Sequence, residues 1–127
     1  MKQLITHDEL VDKLVKPGAD IMAALTPEKA HLLHMAIGIP SEAGELADVI
    51  KKWAIYGQSL DLNSIVEELG DLEFFLQGLR RSLGIAREDT LDANIAKLLV
   101  RYPQLRYSDK DAEERKDKRT PLPDLLR

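Results

Sequence analysis

The chain has 127 residues, no cysteine and a formal net charge of -4, and its length suits one folded domain. Without cysteine there is no disulfide framework and no thiolate nucleophile or metal ligand, and the acidic balance argues against a general attraction to nucleic acid. Hydrophobic residues make up 44% and charged residues 31%, as in folded soluble proteins, and no apolar run is long enough to span a bilayer. We therefore predict a cytoplasmic protein with no membrane segment and no nucleic-acid partner.

The N-terminal part of the chain carries start and stop signals for helices. Thr6 can cap a short helix over residues 7–15, which Pro17-Gly18 would end. Thr26-Pro27 is a second start signal, because threonine caps helices and proline fits their first turn.

Pro40 divides the segment that follows. The helix from Pro27 is predicted to run to about residue 39, where Pro40 would end or kink it because proline has no amide hydrogen to donate. Ser41 can cap a continuation that Gly57 would close. The apolar residues of this continuation repeat at helical spacing and are Ala43, Leu46, Ala47, Ile50, Trp53 and Ala54.

The next long helix can begin at Asp61 or Asn63 and end at Gly84. Its apolar stripe consists of Leu62, Ile65, Val66, Leu69, Leu72, Leu76, Leu79 and Leu83. A last helix is predicted over residues 90–102. Because short connections join long helices, the sequence predicts an all-α fold, a four-helix-type bundle of antiparallel helices.

Charge divides the chain into two parts. We assign residues 1–107 to one helical domain and residues 108–127 to a charged C-terminal helix or tail, of which residues 120–127 are expected to be loose. Phe74 and Phe75 point in different directions on their helix, so the apolar surface exceeds the need of one small bundle. This excess predicts an oligomer.

Two acidic pairs are the strongest chemical signal. Glu42 and Glu45 lie three residues apart on one predicted helix, and Glu68 and Asp71 lie three apart on the next. At about 100° per residue, both pairs are offset from their apolar stripes by similar angles in the same sense. Antiparallel packing would therefore bring four carboxylates together, as ligands for Mg²⁺, Mn²⁺ or Ca²⁺ rather than zinc. From spacing alone, four solvated acids are an equally good interpretation.

Gly44 and Gly70 lie inside predicted helices beside the acidic pairs. Glycine in a helix interior costs about 1 kcal/mol relative to alanine. Close approach of two helices near a metal site would explain both glycines.

The remaining patterns are weaker evidence for a functional site. Glu28 and His31 form one E-x-x-H, but a di-iron bundle needs a second, and His31 and His34 lack further zinc ligands at suitable spacing. Lys51 and Lys52 could contact phosphate or simply be solvated.

The acidic segments resemble a known family. Ser41-Glu42-Ala43-Gly44-Glu45-Leu46 and Glu67-Glu68-Leu69-Gly70-Asp71-Leu72 resemble the paired E-x-x-E and E-x-x-D motifs of MazG-like nucleotide pyrophosphohydrolases, an all-α superfamily. Residues 94–98 and 101–103 resemble the family's downstream segment, and residues 112–115 a basic element of its short members. The resemblance spans about residues 32–118.

The resemblance implies magnesium-dependent hydrolysis of a nucleoside triphosphate between its α- and β-phosphates. The implied metal ligands are Glu42, Glu45, Glu68 and Asp71, and Glu42 or Glu45 would also orient or deprotonate the attacking water. The implied substrate-binding residues are Asn94 for the nucleotide, and Lys97 with Arg101 or Arg115 for phosphate. Family members work as homodimers or dimers of dimers. A non-catalytic helical dimerisation or interaction module is the alternative.

Overall fold

The computed structural model describes residues 5–118. They form six α-helices and a C-terminal 3₁₀ turn: α1 (His7–Leu14), α2 (Gly18–Ala24), α3 (Pro27–Ala54), α4 (Leu62–Leu83), α5 (Arg87–Arg101), α6 (Asp109–Glu114) and the turn Lys116–Lys118. The described part contains no strand, and none of its helices is both long and apolar enough to cross a membrane. The all-α prediction is confirmed.

Local signals place most helix ends where the sequence predicts them. The Thr6 hydroxyl oxygen accepts from the Glu9 amide at 3.2 Å, and the Glu9 carboxylate accepts from the Thr6 amide at 2.8 Å. Thr26 and Asp61 cap α3 and α4 through their side-chain oxygens. Gly84 follows α4 with φ at 67°, the left-handed conformation that glycine adopts without strain.

Pro40 does not end a helix. Helix α3 runs continuously from Pro27 to Ala54, so an end at Pro40 and a new cap at Ser41 are wrong, whereas the alternative of a kink at Pro40 stays a prediction. An interior proline costs about 3 kcal/mol or more, because it donates no hydrogen bond and crowds the preceding turn. Packing of α3 against α4 offsets this cost, and it is the most extensive contact between helices in the described residues.

Two further helices differ from the prediction. Helix α2 was not predicted, and its N-cap, Pro17, makes no side-chain hydrogen bond that could have signalled a start. Helix α5 begins at Arg87 rather than at residue 90. The Asp89 carboxylate accepts from the Ala86 amide at 3.3 Å and so satisfies a backbone group at that earlier start.

Helices α3 and α4 approach closely at two glycines. A β-carbon on Gly38 would overlap the ring of Phe75, and one on Gly78 would overlap the sulfur of Met35. Gly44 and Gly70, by contrast, have nothing within 4 Å of the position that a β-carbon would take. The expectation of close helix approach at Gly44 and Gly70 is therefore wrong for the single chain, and the tight contact lies elsewhere along the hairpin.

One chain buries little apolar surface. Met35 is the single large apolar side chain that is buried among residues 5–118, with 6% of its surface exposed. The chain exposes 10498 Å², whereas a compact monomer of 14.3 kDa exposes about 6,800 Å². The thirteen residues outside the described part would contribute at most about 2,100 Å² even if fully extended. The four-helix-type bundle is thus not complete within one chain and stays a prediction.

The C-terminal 3₁₀ turn is attached to α5 by an ion pair. Arg101 donates to both carboxylate oxygens of Asp117, at 2.7 and 2.9 Å. The side chain of Asp117 is 1% exposed and that of Arg101 17%. Hydrogen bonds from Arg101 lower the pKa of the Asp117 carboxyl to about 2 and raise the pKa of the guanidinium. The division at residue 107 stays a prediction, and residues 120–127 lie outside the described residues.

This ion pair predicts a pH-dependent loss of stability. Asp117→Asn is expected to lower the Tm at pH 7, because it leaves the guanidinium of Arg101 without its counter-ion. The folded pKa of Asp117, about 2, lies below the usual value of about 3.9. The stabilisation is therefore complete above about pH 4 and is lost as the pH falls towards 2. Thermal unfolding between pH 7 and 2 should show the Tm difference shrinking in that window.

Glu113→Gln is a suitable control, since Glu113 is an exposed acid on neighbouring α6. Its Tm should follow that of the wild type at every pH. A difference between wild type and Asp117→Asn that stays constant down to pH 2 would contradict the assignment of the effect to ionised Asp117.

Candidate metal centre and adjoining groove

Three of the four predicted metal ligands meet between α3 and α4. Helix α3 carries Glu42, and α4 carries Glu68 and Asp71 one turn apart. One carboxylate oxygen from each lies within 4.8 Å of those from the other two. Three of the four side chains that the acidic spacing was expected to bring together therefore lie close to one another. Glu45 lies outside this closest group.

Glu45 lies beside the cluster. It is exposed and, with Glu68, lines a groove that begins at the cluster. Its charge is close enough to act on Glu68: the pKa of the Glu68 carboxyl is raised, first by burial and then by the negative charges of Glu45 and Glu42. Glu42, Glu45 and Glu68 therefore share one electrostatic environment.

Glu68 has an oxygen without a partner. Its Oε2 atom is buried and makes no hydrogen bond. A buried acceptor without a partner is costly, and neighbouring carboxylates repel it further. A divalent cation bound by Glu42, Glu68 and Asp71 would remove both costs, and hard oxygen ligands are those preferred by Mg²⁺ and Mn²⁺. The residues present fit such an ion.

The adjoining groove has a volume of about 510 Å³ and is built entirely by α3 and α4. Small or polar residues dominate its lining, which consists of Ser41, Gly44, Glu45, Asp48, Val49, Lys52, Ser64 and Glu68. Because Glu68 belongs to both features, a ligand in the groove would lie next to the acidic cluster.

The predicted substrate-binding residues lie away from this groove. Asn94 is exposed and Lys97 half-buried, both on α5, and Arg115 follows α6 with φ at 47°. Arg101 is held by Asp117. None of the four predicted residues lines the groove within one chain. Their roles stay predictions.

The sequence did not single out Asp48. Its Oδ1 lies 2.7 Å from Lys51 Nζ and its Oδ2 lies 2.7 Å from Lys52 Nζ. Hydrogen bonds from these two lysines lower the pKa of the Asp48 carboxyl to about 2. The signal was available, because an acid three and four residues before two lysines can pair with both on a helix.

The chain matches a known protein family over the region that contains the acidic cluster and the groove. The model of the MazG nucleotide pyrophosphohydrolase domain matches residues 31–106, which is more than half of the chain. The match contains the acidic cluster and the whole groove, and it ends before Arg115. No curated protein and no solved structure matches the chain significantly.

Proposed function

The chain belongs to the MazG nucleotide pyrophosphohydrolase family, and we propose that it hydrolyses nucleoside triphosphates to nucleoside monophosphates and pyrophosphate. The observation that carries this proposal is the meeting of the Glu42, Glu68 and Asp71 carboxylates within 4.8 Å. A helical scaffold gains nothing from such repulsion, whereas a phosphate-cleaving enzyme needs a site for a divalent cation.

The proposed cation is Mg²⁺, with Mn²⁺ as an alternative, held by Glu42, Glu45, Glu68 and Asp71. When bound, it would neutralise phosphate oxygens and lower the pKa of a water molecule. Glu42 on α3 and Glu68 and Asp71 on α4 would bind the cation from two helices. The packing of α3 against α4 sets the distances between these carboxylates. Of the two candidate bases, Glu42 and Glu45, we assign the proton of the attacking water to Glu45, and its position in the groove outside the closest group supports this assignment.

Water is the proposed nucleophile because no side chain at the site is equipped for the role. The chain has no cysteine. Ser41 and Ser64 line the groove, but no histidine does, and the Ser64 hydroxyl donates to Asp61 at 2.8 Å. Water would attack the α-phosphorus, the bond from that phosphorus to the bridging oxygen would break, and pyrophosphate would leave. The choice of the α-phosphorus comes from the family.

Hydrolysis in oxygen-18 water tests the scissile bond. With Mg²⁺ and a panel of ribo- and deoxyribonucleoside triphosphates, mass spectrometry should find the label in the monophosphate and none in pyrophosphate. Label in orthophosphate, with a nucleoside diphosphate as the other product, would show attack on the γ-phosphorus instead. No hydrolysis across the panel with either metal would favour the non-catalytic interaction module.

We also propose that the protein works as a homodimer or a dimer of dimers. The apolar surface left exposed by one chain supports this assembly. Asn94, Lys97, Arg101 and Arg115 could then approach the groove from a second subunit. A cytoplasmic location stays a prediction from the sequence.

A further inference from the structure

We propose that Lys52 binds the phosphate groups of the substrate that extend beyond the acidic cluster. The inference rests on the proposed function, because it assigns a residue to the same site. Among the residues that line the groove, Lys52 is the one that carries a positive charge. Lys52 and the cluster residue Glu68 line the same groove, so a phosphate chain that extends from the cluster into the groove would approach the lysine.

The position of the ammonium group supports this role. Lys52 Nζ lies 2.7 Å from Asp48 Oδ2. Asp48 follows Glu45 by three residues, which corresponds to about 4.5 Å along the axis of α3. Lys52 is thus paired with an acid that lies one helical turn along α3 from Glu45, the exposed carboxylate beside the cluster.

Asp48 can release Lys52 without losing its own counter-ion. Lys51 and Lys52 both lie 2.7 Å from the Asp48 carboxylate, so two positive charges share one negative charge. Lys51 is further anchored with its Nζ 5.7 Å from the centre of the Tyr56 ring. The side chain of Lys52 is 51% exposed, and surface ion pairs of this kind hold weakly. Lys52 can thus turn to phosphate while Lys51 remains paired with Asp48.

The rest of the lining suits phosphate better than a nucleobase. Ser41 and Ser64 supply hydroxyl groups, and Gly44 has no side chain to fill the space. Val49 is the one apolar side chain in the lining, which contains no aromatic ring for a base to stack on. The lining also holds three carboxylates, of which Glu45 and Glu68 would be neutralised by a cation bound at the cluster and Asp48 by Lys51. With the cation bound, the groove is therefore assigned to the phosphate chain.

Lys52→Gln tests the assignment, and Lys51→Gln is its matched control. The two variants remove the same charge beside the same aspartate, but only Lys52 lines the groove. Calorimetric titration with pyrophosphate and Mg²⁺ should show about tenfold weaker binding for Lys52→Gln, as expected for loss of one charge-assisted hydrogen bond. Lys51→Gln should weaken binding by well under tenfold, because it leaves the Lys52 ammonium group in the groove, although Asp48 then pairs with Lys52 alone. Binding of a nucleoside monophosphate should be the same in both variants.

The outcomes separate this inference from the proposed function. Equal pyrophosphate Kd values for the two variants would overturn the role of Lys52, even if the wild type hydrolyses triphosphates. Weaker binding of the monophosphate by Lys52→Gln, with pyrophosphate unaffected, would also overturn it by placing the lysine on the nucleoside side. If the wild type hydrolyses no triphosphate, the proposed function fails, and the pyrophosphate titration still decides whether Lys52 binds phosphate.

Discussion

Replacing Glu68 with Gln is expected to reduce kcat/KM by more than about 100-fold, because loss of a residue that only supports a metal ligand already costs about 10- to 100-fold. Glutamine keeps the size of the side chain and removes its charge. Glu68 is the side chain with a buried, unpartnered oxygen, and it belongs both to the acidic cluster and to the groove. The variant therefore removes one ligand without emptying the site.

The same substitution is expected to raise the Tm of the protein without metal. The negative charges of Glu45 and Glu42 oppose ionisation of Glu68, so a neutral side chain relieves a repulsion present in the folded state. Added Mg²⁺ should then stabilise the wild type by binding to its folded state, and should stabilise Glu68→Gln much less. Thermal unfolding with and without Mg²⁺ gives this comparison independently of catalysis.

Glu67→Gln is the matched control. Glu67 precedes Glu68 on α4 and is exposed, and it belongs neither to the cluster nor to the lining of the groove. This variant should keep kcat/KM within about twofold and respond to Mg²⁺ as the wild type does. A Glu68→Gln variant that retains wild-type activity, or an equal loss in both variants, would refute the metal-ligand assignment of Glu68.

Replacing Ile95 with Asp is expected to convert an oligomer into monomers and to lower the Tm by several degrees. Helix α5 exposes an apolar stripe at helical spacing that consists of Leu91, Ile95, Leu98 and Leu99. Ile95 is 55% exposed and, with Tyr102 and Leu105, lines an apolar groove. Burial of such a side chain stabilises an assembly by about 1.5–3 kcal/mol. A carboxylate at this position would instead have to be desolvated.

Sedimentation velocity at micromolar concentration measures the change. The wild type should sediment as a dimer or tetramer, and its Tm should rise with protein concentration, because association stabilises the folded state by mass action. Ile95→Leu keeps the apolar character and should remain associated. A monomeric wild type would contradict the proposed oligomer. An Ile95→Asp variant that stays associated would contradict the use of α5 as the interface.

The sequence by itself determined where α1, α3 and α4 begin, because capping is local. Thr6, Thr26 and Asp61 each accept a hydrogen bond from an amide three residues later, so start signals such as these can be found without knowledge of the rest of the fold. The spacing of the acidic residues predicted part of the cluster because this spacing, too, is a local property of each helix. Residues three apart share a helix face wherever that helix packs, which is why Glu68 and Asp71 could be expected to act together.

Only the tertiary structure decided which carboxylates come closest. Gly38 lies against Phe75, and Gly78 lies against Met35, where α3 and α4 contact each other closely. The axial and rotational match of two helices depends on such contacts, and the spacing within either helix says nothing about them. The closest group therefore includes Glu42 but not Glu45, although both lie on the predicted face.

Long-range contacts also decided two features that local rules did not. Pro40 is a helix breaker by local rules, but α3 continues through it because α4 packs along its side. Arg101 pairs with Asp117, sixteen residues later in the chain, a contact that no local pattern indicated, and its phosphate-binding role stays a prediction. Hydrogen bonds within one helical turn can be predicted from sequence because the chain itself holds the partners near each other. A partner several turns away is brought into contact only when the whole chain has folded.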